Sequence, residues 1–407
     1  MTNCRICGRP IHPFMSFGRQ PISNGFLTAN QIPDEYFFQM DPAYCENCEM
    51  FQLTEQPAPE KMFHKNYAFF SSASRYMQAH FAKFADLVHE QVLKSREDPF
   101  VVELGSNDGI MLRNFKARGQ RHLGVEPSGN VADVARAGGI NTISEFFDRA
   151  LAERIVAEHG RADAVLSANV MCHIPDLNSV AEGIRHLLKP DGVLMFEDPY
   201  LGDMVAKTSY DQIYDEHVFI FSAASVRNAF GRHGLELIGV LPQITHGGSI
   251  RYVLAPKGSH PVSPSVEAQI IKEKAQGLNN PTDYLKFKAN CENSRSQLMN
   301  LLNDLRAKGK RVVGYGATSK STTVTNYCGI TTDHVAWISD TTPIKQGKLS
   351  PGAHIPVRPY EEFVKNYPDY ALLFAWNHAA EIREKEDAFL DSGGKWLYFV
   401  PEVKIVG

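Results

Sequence analysis

The chain has 407 residues, of which 43% are hydrophobic and 22% charged, and its formal net charge at pH 7 is −4. This length allows two or three domains of ordinary soluble composition. The acidic balance gives no global electrostatic reason to expect nucleic acid or an anionic membrane as a partner. The sequence has no apolar run near the ~18 residues of a membrane helix, and its first residues lack the apolar core of a secretory signal. We therefore expect a cytoplasmic protein.

Two cysteine pairs frame the start of the chain, Cys4 with Cys7 and Cys45 with Cys48. Each pair has the C-x-x-C spacing of a zinc knuckle, and four thiolates complete a closed tetrahedral shell with no open position for catalysis. Coincidental burial of the cysteines is the alternative, but the remaining cysteines show no such pairing. We predict a structural zinc ion in a small domain over residues 1–65.

The hydrophobic pattern after residue 70 predicts helices that alternate with strands. A helix is expected from Ser72 to about Leu93, and another, capped by Ser179, precedes a turn at 189–192. Strands are expected at 100–104, 122–125, 164–167 and 193–196. This alternation predicts an α/β domain with a doubly wound parallel sheet, extending over residues 66–258.

The pattern changes after Gly234. Strands 235–240 and 249–254 have no helix between them, so we expect them to pair antiparallel at the sheet edge. Residues 259–308 are predicted to form a helical connection. Further strands are expected at 311–316, 335–338, 370–374 and 396–400. Residues 309–407 are therefore predicted to form a second, Rossmann-like domain.

A glycine turn follows the first strand of the parallel sheet. Its key residues are Glu103, Gly105, Asn107, Asp108 and Gly109, and Glu126 ends the next strand. Glycine allows a ligand to approach the backbone, and an acid placed like Glu126 can hold two ribose hydroxyls. These features fit NAD or S-adenosylmethionine. The G-x-G-x-x-G fingerprint that seats a pyrophosphate is missing, and the extra acid suits a cationic sulfonium ligand. We predict S-adenosylmethionine, with Asn169 as another contact.

The segment from Glu197 to His217 leaves the carboxyl edge of the sheet, where open α/β sheets bind ligands. It concentrates titratable groups, among them Tyr214, Glu216 and His217. His173 follows another strand at the same edge. Most histidines of a chain are surface or hydrogen-bonded core residues. Their position makes His217 and His173 better candidates than that background, although spacing does not choose between them.

Over essentially its full length the chain resembles the nucleotide-sugar C-3'-methyltransferases of deoxysugar biosynthesis. The resemblance rests on the paired cysteines, the loop 103–109 and the segments 172–175, 197–202, 211–217, 314–321 and 374–378. Of these, the stretch around Tyr214 to His217 is specific to the family, whereas the glycine loop is not. The resemblance implies a zinc-binding domain, a class I methyltransferase domain and a C-terminal domain, with the substrate between the last two.

The resemblance also implies residue roles. The family's general base falls on His217, and its supporting residues fall on Tyr214, Glu216, His173 and Tyr67. The base would remove the acidified C-3 proton of a 4-keto-6-deoxy sugar, and the resulting enolate would attack the sulfonium methyl. Tyr214 and His173 are the expected donors to the developing charge on O-4.

The C-terminal glycine turn predicts a second contact with the substrate. Gly316, Thr318, Lys320 and Asn377 are candidates for binding the diphosphate of a dTDP- or GDP-linked sugar. The turn lacks both the dinucleotide pattern and the Walker spacing, so a vestigial Rossmann domain is the alternative. The sequence does not identify the sugar.

Two other functions stay open at this point. A nicotinamide-dependent dehydrogenase or epimerase of nucleotide sugars would bind NAD at the first glycine turn. A zinc-containing nucleic-acid methylase or binding module is disfavoured by the acidic balance and by the missing basic–aromatic stripe. We expect a small-molecule nucleotide sugar as the partner, and neither nucleic acid nor a membrane.

Overall fold

The computed structural model describes residues 2–63 and 70–407. Its N-terminal unit consists of short antiparallel strands and one helical turn. They are β1 (Thr2–Asn3), β2 (Pro10–Ile11), β3 (Arg19–Pro21), β4 (Phe37–Gln39), β5 (Pro42–Cys45), β6 (Met50–Leu53) and α1 (Pro59–Met62). β1 pairs with β2, β3 with β4 and β5 with β6. The cysteine pairs lie at the two turns, one between β1 and β2 and one at the end of β5.

The central unit alternates strands and helices, as the sequence predicts. In chain order they are α2 (Arg75–Val88), β7 (Phe100–Leu104), α3 (Leu112–Ala117), β8 (Arg121–Val125), α4 (Gly129–Ala137), β9 (Thr142–Ile143), α5 (Arg149–His159), β10 (Ala162–Ala168), α6 (Leu177–Leu187), β11 (Leu188–Pro199), α7 (Leu201–Lys207), β12 (Phe219–Ile220), α8 (Ala223–Gly231), β13 (Leu235–Gln243) and β14 (Ser249–Pro256). All five residues of β7 are buried, as expected for a strand covered by helices on both faces.

Seven of these strands form one sheet in the order β13-β14-β11-β10-β7-β8-β9. β7 to β11 are parallel, and β14 runs antiparallel to both β11 and β13. The expected antiparallel pairing of β13 with β14 is confirmed, but only β13 lies at the edge. β14 is inserted beside β11, so the hairpin brings the β13–β14 turn to the carboxyl end of β11.

Three local predictions were wrong in detail. Asp176, and not Ser179, caps α6, because the Asp176 carboxylate accepts the Ser179 amide at 3.1 Å. Residues 189–192, expected as a turn, lie inside β11 as a bulge, since the register shifts between Ala162 and Ala164 of the neighbouring strand. The helix expected from Ser72 begins at Arg75, because the Ser74 side chain caps it, and its last turn (89–93) is π-helical.

The C-terminal unit is a second α/β arrangement that follows two helices. Its elements are α9 (Pro264–Ala275), α10 (Pro281–Ala307), β15 (Val312–Tyr315), α11 (Ser319–Cys328), β16 (Ile338–Asp340), β17 (Val357–Pro359), α12 (Tyr360–Lys365), β18 (Tyr370–Leu373), α13 (Ala379–Lys385), α14 (Asp387–Asp391), β19 (Lys395–Tyr398) and β20 (Lys404–Val406). The sheet order is β17-β16-β15-β18-β19-β20, and only β20 is antiparallel. The strand expected at 335–338 starts instead at Ile338 and continues to Asp340, where it pairs with β17.

The three units share one hydrophobic core. β12 of the central unit pairs antiparallel with β6 of the N-terminal unit, so the two segments form one three-stranded sheet. Ring contacts join the N-terminal unit to the helices beyond: Phe17 lies 4.7 Å from Tyr327, and Tyr44 stacks on Tyr284 at 4.5 Å between ring centres. The zinc-binding unit is therefore packed against both α/β units and is not a separate appendage.

Within residues 2–63 and 70–407, no helix combines the length and the apolar character that crossing a membrane would require.

Candidate active site

The four cysteine sulfurs converge as the sequence predicts. The Sγ atoms of Cys4, Cys7, Cys45 and Cys48 all lie within 4.8 Å of one another, and those of Cys7 and Cys45 are 3.7 Å apart. A tetrahedral zinc ion with bonds of about 2.3 Å separates its sulfur ligands by roughly 3.8 Å. The geometry therefore fits a closed, structural zinc site.

Polar contacts orient this cluster. The Gln52 side chain donates to Cys4 Sγ at 3.2 Å and accepts the Arg5 amide at 2.9 Å. Hydrogen bonds from Cys45, Cys48 and Gln52 lower the pKa of the Cys4 thiol against the opposing effect of burial. The same hydrogen bonds raise the pKa values of the Cys45 and Cys48 thiols, so zinc binding at this cluster requires those thiols to lose their protons.

The first glycine loop has the backbone that the cofactor prediction requires. Gly105 and Gly109 have φ of 68° and 79°, a region that favours glycine. A Cβ on Gly105 would lie 2.2 Å from Val170 Cγ2, so only glycine fits there. Glu126 accepts the Asn107 amide at 3.0 Å and the Ser128 amide at 2.8 Å, which fixes its carboxylate at the end of β8.

Acceptor atoms without partners cluster around this loop. Glu103 Oε2, Asp108 Oδ1 and Asn169 Oδ1 are buried and have no hydrogen-bond partner among the residues described. Burial, then the charges of Asp108 and Glu126, raise the pKa of Glu103 well above its ordinary value. Such a group of acids is stabilised by a cation, and its unused acceptors suit the amino group and hydroxyls of S-adenosylmethionine. The residues present fit the predicted cofactor.

A buried ion-pair cluster forms beside the loop, at the end of β11. The Glu197 carboxylate contacts His80 Nε2 (2.8 Å), the Thr245 hydroxyl (2.8 Å) and Arg251 Nη2 (2.7 Å). Burial alone would raise the pKa of Glu197, but His80, Arg251 and Thr245 lower it to about 2. The cluster joins α2, β11, β14 and the β13–β14 turn at the carboxyl edge of the sheet.

The segment 210–217 brings together the predicted catalytic side chains. Gln212 O accepts a hydrogen bond from His217 Nδ1 at 2.7 Å, because a carbonyl can only accept. The neutral ring therefore has its lone pair on Nε2, which accepts the Tyr214 hydroxyl at 2.7 Å. Burial and the nearby His173, His246 and Lys320 lower the pKa of His217 well below 6.5, against the raising effect of the Gln212 bond. His217 is thus a neutral base with a defined tautomer.

The carboxylates beside His217 are held by the zinc-binding unit. Asp215 Oδ1 accepts the Ser23 amide at 3.0 Å, and Glu216 Oε1 accepts the Asn24 side chain at 2.6 Å. On the other side, the Thr322 hydroxyl of α11 donates to the Ser23 carbonyl at 2.9 Å. All three units therefore converge on this segment, and the zinc-binding unit supplies part of the catalytic site's support.

His173 lies against His217, as the sequence predicts. The two rings stack with centres 5.3 Å apart, and the Phe63 ring also stacks on His173, with ring centres 5.6 Å apart. His173 Nε2 is buried without a partner among the described residues, and burial lowers the pKa of His173 to about 3. Tyr67, the remaining predicted supporting residue, lies outside the described residues.

Cys172, His173 and His217 also place three potential metal ligands within 4.8 Å of one another. The Cys172 thiol, however, donates to Asp198 Oδ1 at 3.3 Å, and burial together with the Asp198 charge raises the pKa of Cys172 well above 9.0. Both ring nitrogens of His217 are already hydrogen-bonded, to Gln212 and to Tyr214. The trio therefore fits acid–base chemistry better than metal binding.

The C-terminal turn directs its lysine inward. Lys320 is buried, its Nζ contacts Asn377 Oδ1 at 3.2 Å, and its charge acts on His217 and His246. Thr318 instead caps α11, accepting the Ser321 amide at 3.2 Å, and Gly316 has φ of 91°. Of the four predicted substrate residues, Lys320 and Asn377 therefore come together near His217, whereas the Thr318 hydroxyl is used within the helix cap.

Several residues of the site escaped the sequence prediction. Asp211 begins the segment 211–217, on which the family resemblance rests, but the sequence predicts no role for it. Its carboxylate accepts a hydrogen bond from Trp376 Nε1 at 2.6 Å, and burial raises its pKa to about 6. Asn24 and His246 carry no local signal, because their partners come from distant segments. Only the density of polar residues around Asp211 could have indicated its importance.

Comparisons with known proteins match three family models and one relative over the full length of the chain. Family models match residues 4–63 (putative zinc binding domain), 75–240 (methyltransferase domain) and 244–401 (C-methyltransferase C-terminal domain). The C-methyltransferase NovU of Streptomyces niveus is 35% identical over 409 residues, covering 100% of this chain and 97% of that protein.

Among solved structures, the magnesium protoporphyrin IX methyltransferase of Synechocystis with bound SAH aligns with 44% of this chain and 82% of its own, at 14% identity and a TM-score of 0.35. An Anabaena variabilis SAM-dependent methyltransferase aligns with 44% of this chain and 86% of its own, at 17% identity and a TM-score of 0.35.

Zinc content tests the cysteine cluster. We expect one zinc ion per chain by metal analysis, and a loss of zinc in Cys45→Ser, because three sulfurs no longer close the shell. Loss of the metal should lower the melting temperature by at least about 2 °C, since a loss of about 2 kcal/mol against an unfolding entropy of about 2.1 cal/mol/K per residue produces a shift of that order in a chain of this size. Cys291→Ser, in α10, should keep its zinc. A full zinc complement in Cys45→Ser would contradict the site.

Cofactor affinity tests the glycine loop. Gly105→Ala should bind S-adenosylmethionine at least about tenfold more weakly by calorimetry, because the new methyl meets Val170 at 2.2 Å and the backbone is left-handed. Gly119→Ala is the matched control: it has a φ of 69° but open space around it, so it should bind the cofactor normally. Equal affinities in the two variants would refute the placement of the cofactor.

Proposed function

Because this chain belongs to the C-methyltransferase family, as its full-length similarity to NovU establishes, we propose that it methylates C-3' of a nucleotide-diphosphate-linked 4-keto-6-deoxy sugar. Its S-adenosylmethionine dependence and its methyltransferase domain are established by the same comparisons. They set aside the dehydrogenase or epimerase alternative. The position of the methylated carbon, the sugar and the nucleotide are part of the proposal.

The observation that carries the proposal is the hydrogen-bonded state of His217. Carbon is methylated as a carbanion or enolate, so an enzyme of this class needs a base beside an acidified C–H. His217 is neutral, buried and oriented with its lone pair on Nε2. A C–H next to a ketone is acidic enough for such a base, whereas an isolated sugar C–H is not. A 4-keto sugar therefore fits the chemistry that the site offers.

We infer that the proton reaches His217 through the Tyr214 hydroxyl. In the observed geometry this hydroxyl donates a hydrogen bond to the lone pair of Nε2. The C-3 proton would pass to the Tyr214 oxygen while the hydroxyl proton moves to Nε2, which leaves the phenol neutral. Burial and the charge of Glu216 raise the pKa of Tyr214, so a free phenolate is disfavoured at every stage. Bound S-adenosylmethionine would supply an electrophilic methyl group to the resulting carbanion.

The remaining predicted residues have supporting parts in this proposal. Glu216, fixed by Asn24, keeps the segment ending at His217 in place. His173 packs against the base, and its Nε2, which has no hydrogen-bond partner among the described residues, would face the substrate. Lys320 and Asn377 would contact the polar part of the nucleotide sugar, and backbone at Gly316 would approach its diphosphate.

Hydrogen exchange at C-3 separates base catalysis from methyl transfer. Incubation with a panel of nucleotide-linked 4-keto-6-deoxy sugars in deuterated water, with S-adenosylhomocysteine in place of the methyl donor, should give deuterium at C-3. His217→Asn and Tyr214→Phe should each reduce this exchange by about 100-fold or more, whereas His12→Asn, on the surface, should not.

Each failure has a distinct meaning. The proposed function would be refuted if the wild-type enzyme exchanged the C-3 hydrogen of no sugar in the panel and also transferred no methyl group to any of them from S-adenosylmethionine. Near-normal exchange in His217→Asn would refute the base. Near-normal exchange in Tyr214→Phe alone would refute the relay and leave direct attack by His217.

The pH profile of exchange follows from the lowered pKa of His217. A base is active when deprotonated, so a pKa below 6.5 keeps His217 active as the pH falls from about 8 to about 6.5. The acid limb of the exchange rate should therefore lie below pH 6.5. In Lys320→Met it should move to higher pH, because the lysine charge lowers the pKa of His217. A wild-type limb at or above pH 7 would contradict the neutral base.

A further inference from the structure

The β13–β14 turn holds His246 in an unfavourable backbone conformation. Its φ of 54° and ψ of 20° lie in the left-handed region, which residues with a Cβ rarely adopt. The turn is fixed on both sides of His246: the Thr245 hydroxyl donates to Glu197 at 2.8 Å, and the Gly248 carbonyl accepts the Tyr200 amide at 3.1 Å. Strain of this kind persists where the surroundings over-determine the backbone, which is common at functional sites.

The same turn presses against the C-terminal unit. A Cβ on Gly247 would lie 2.2 Å from Cη2 of Trp376, so the backbone contacts the indole directly. The indole in turn donates to Asp211, and Lys320 Nζ lies 5.2 Å from its ring centre. His246 therefore lies where the central and C-terminal units meet, near enough to Lys320 and His217 for their charges to interact.

The imidazole of His246 is available for a hydrogen bond to a bound ligand. Its Nε2 is buried and has no hydrogen-bond partner in the described part of the chain. Lys320, His378 and His80 face it, and so does Glu197. Burial and Lys320 lower the pKa of His246 to about 3, although Glu197 acts to raise it. The ring is therefore neutral at physiological pH, and a neutral imidazole can polarise a carbonyl.

We propose that His246 is a further catalytic residue, which donates a hydrogen bond from Nε2 to the ketone oxygen of the substrate beside the ammonium of Lys320. The inference rests on the proposed function. When the C-3 proton leaves toward His217, its electron pair delocalises onto this oxygen, and it returns when the carbon–methyl bond forms. Of the two donors expected from the sequence, Tyr214 is committed to His217, and His173 stacks on the His217 ring with ring centres 5.3 Å apart. Lys320 favours an oxyanion and repels the sulfonium, so this side of the site suits the sugar.

Two substitutions of His246 test the role. His246→Asn keeps a residue that tolerates the left-handed conformation, but its shorter amide does not reach the position of Nε2. His246→Gln returns an N–H donor close to that position. We expect about 100-fold slower C-3 exchange and methyl transfer in His246→Asn, at least tenfold recovery in His246→Gln, and a cofactor affinity within twofold of wild type in both. Lys320→Met should slow exchange similarly, and the double variant should lose much less than the product of the two.

The outcomes divide cleanly. Exchange in His246→Asn within threefold of wild type overturns the proposal, and so does a parallel loss of cofactor binding, which would assign the turn to the cofactor. A Gln variant no better than Asn, with both folded by melting temperature, also overturns it. Absence of both exchange and methyl transfer in the wild-type enzyme would instead refute the proposed function, before any variant is compared.

Discussion

The imidazole of His217 is hydrogen-bonded at both nitrogens, to the Gln212 carbonyl and to the Tyr214 hydroxyl, and the rest of the site is arranged around this constraint. The segment that makes these bonds has little regular structure of its own and is nevertheless buried. Asp211, Asp215, Glu216 and His217 are at most 4% exposed. Buried acids on irregular backbone require partners, and those partners come from the N-terminal and C-terminal units.

This requirement explains why a small zinc-binding unit belongs to a methyltransferase. The turn at Ser23 and Asn24 reaches the carboxylates beside the base, and α11 fixes that turn from the other side. The zinc ion would hold a unit with little secondary structure rigid enough to do this. The strained turn at His246 is held in a corresponding way, by Glu197 and by the indole of Trp376. In the proposed reaction the proton leaves toward His217, and charge develops on the oxygen beside His246.

Local patterns predicted much of this structure and missed what depends on distance. The hydrophobic pattern and the turn residues indicated the strands that end near Glu103 and Glu126, and the C-x-x-C spacing indicated the cysteine cluster. Both signals lie within a few consecutive residues. The order of β13 and β14 was missed, since it depends on which of the two strands pairs with β11. The capping of α6 by Asp176 was missed because neighbouring polar residues compete for the cap position. The bond from Asn24 to Glu216 spans 192 residues, so no local pattern announces it. The inward position of Lys320 likewise follows only from the packing of two units.

The state of His217 itself is the most direct test of this account. Nitrogen-15 NMR of histidine-labelled enzyme, with the signal assigned by comparison with His217→Asn, reports which ring nitrogen carries the proton and when the ring is charged. The account predicts a neutral ring protonated at Nδ1 and bare at Nε2, unchanged between about pH 8 and about pH 6.5. A ring protonated at Nε2, or an imidazolium at neutral pH, would contradict it.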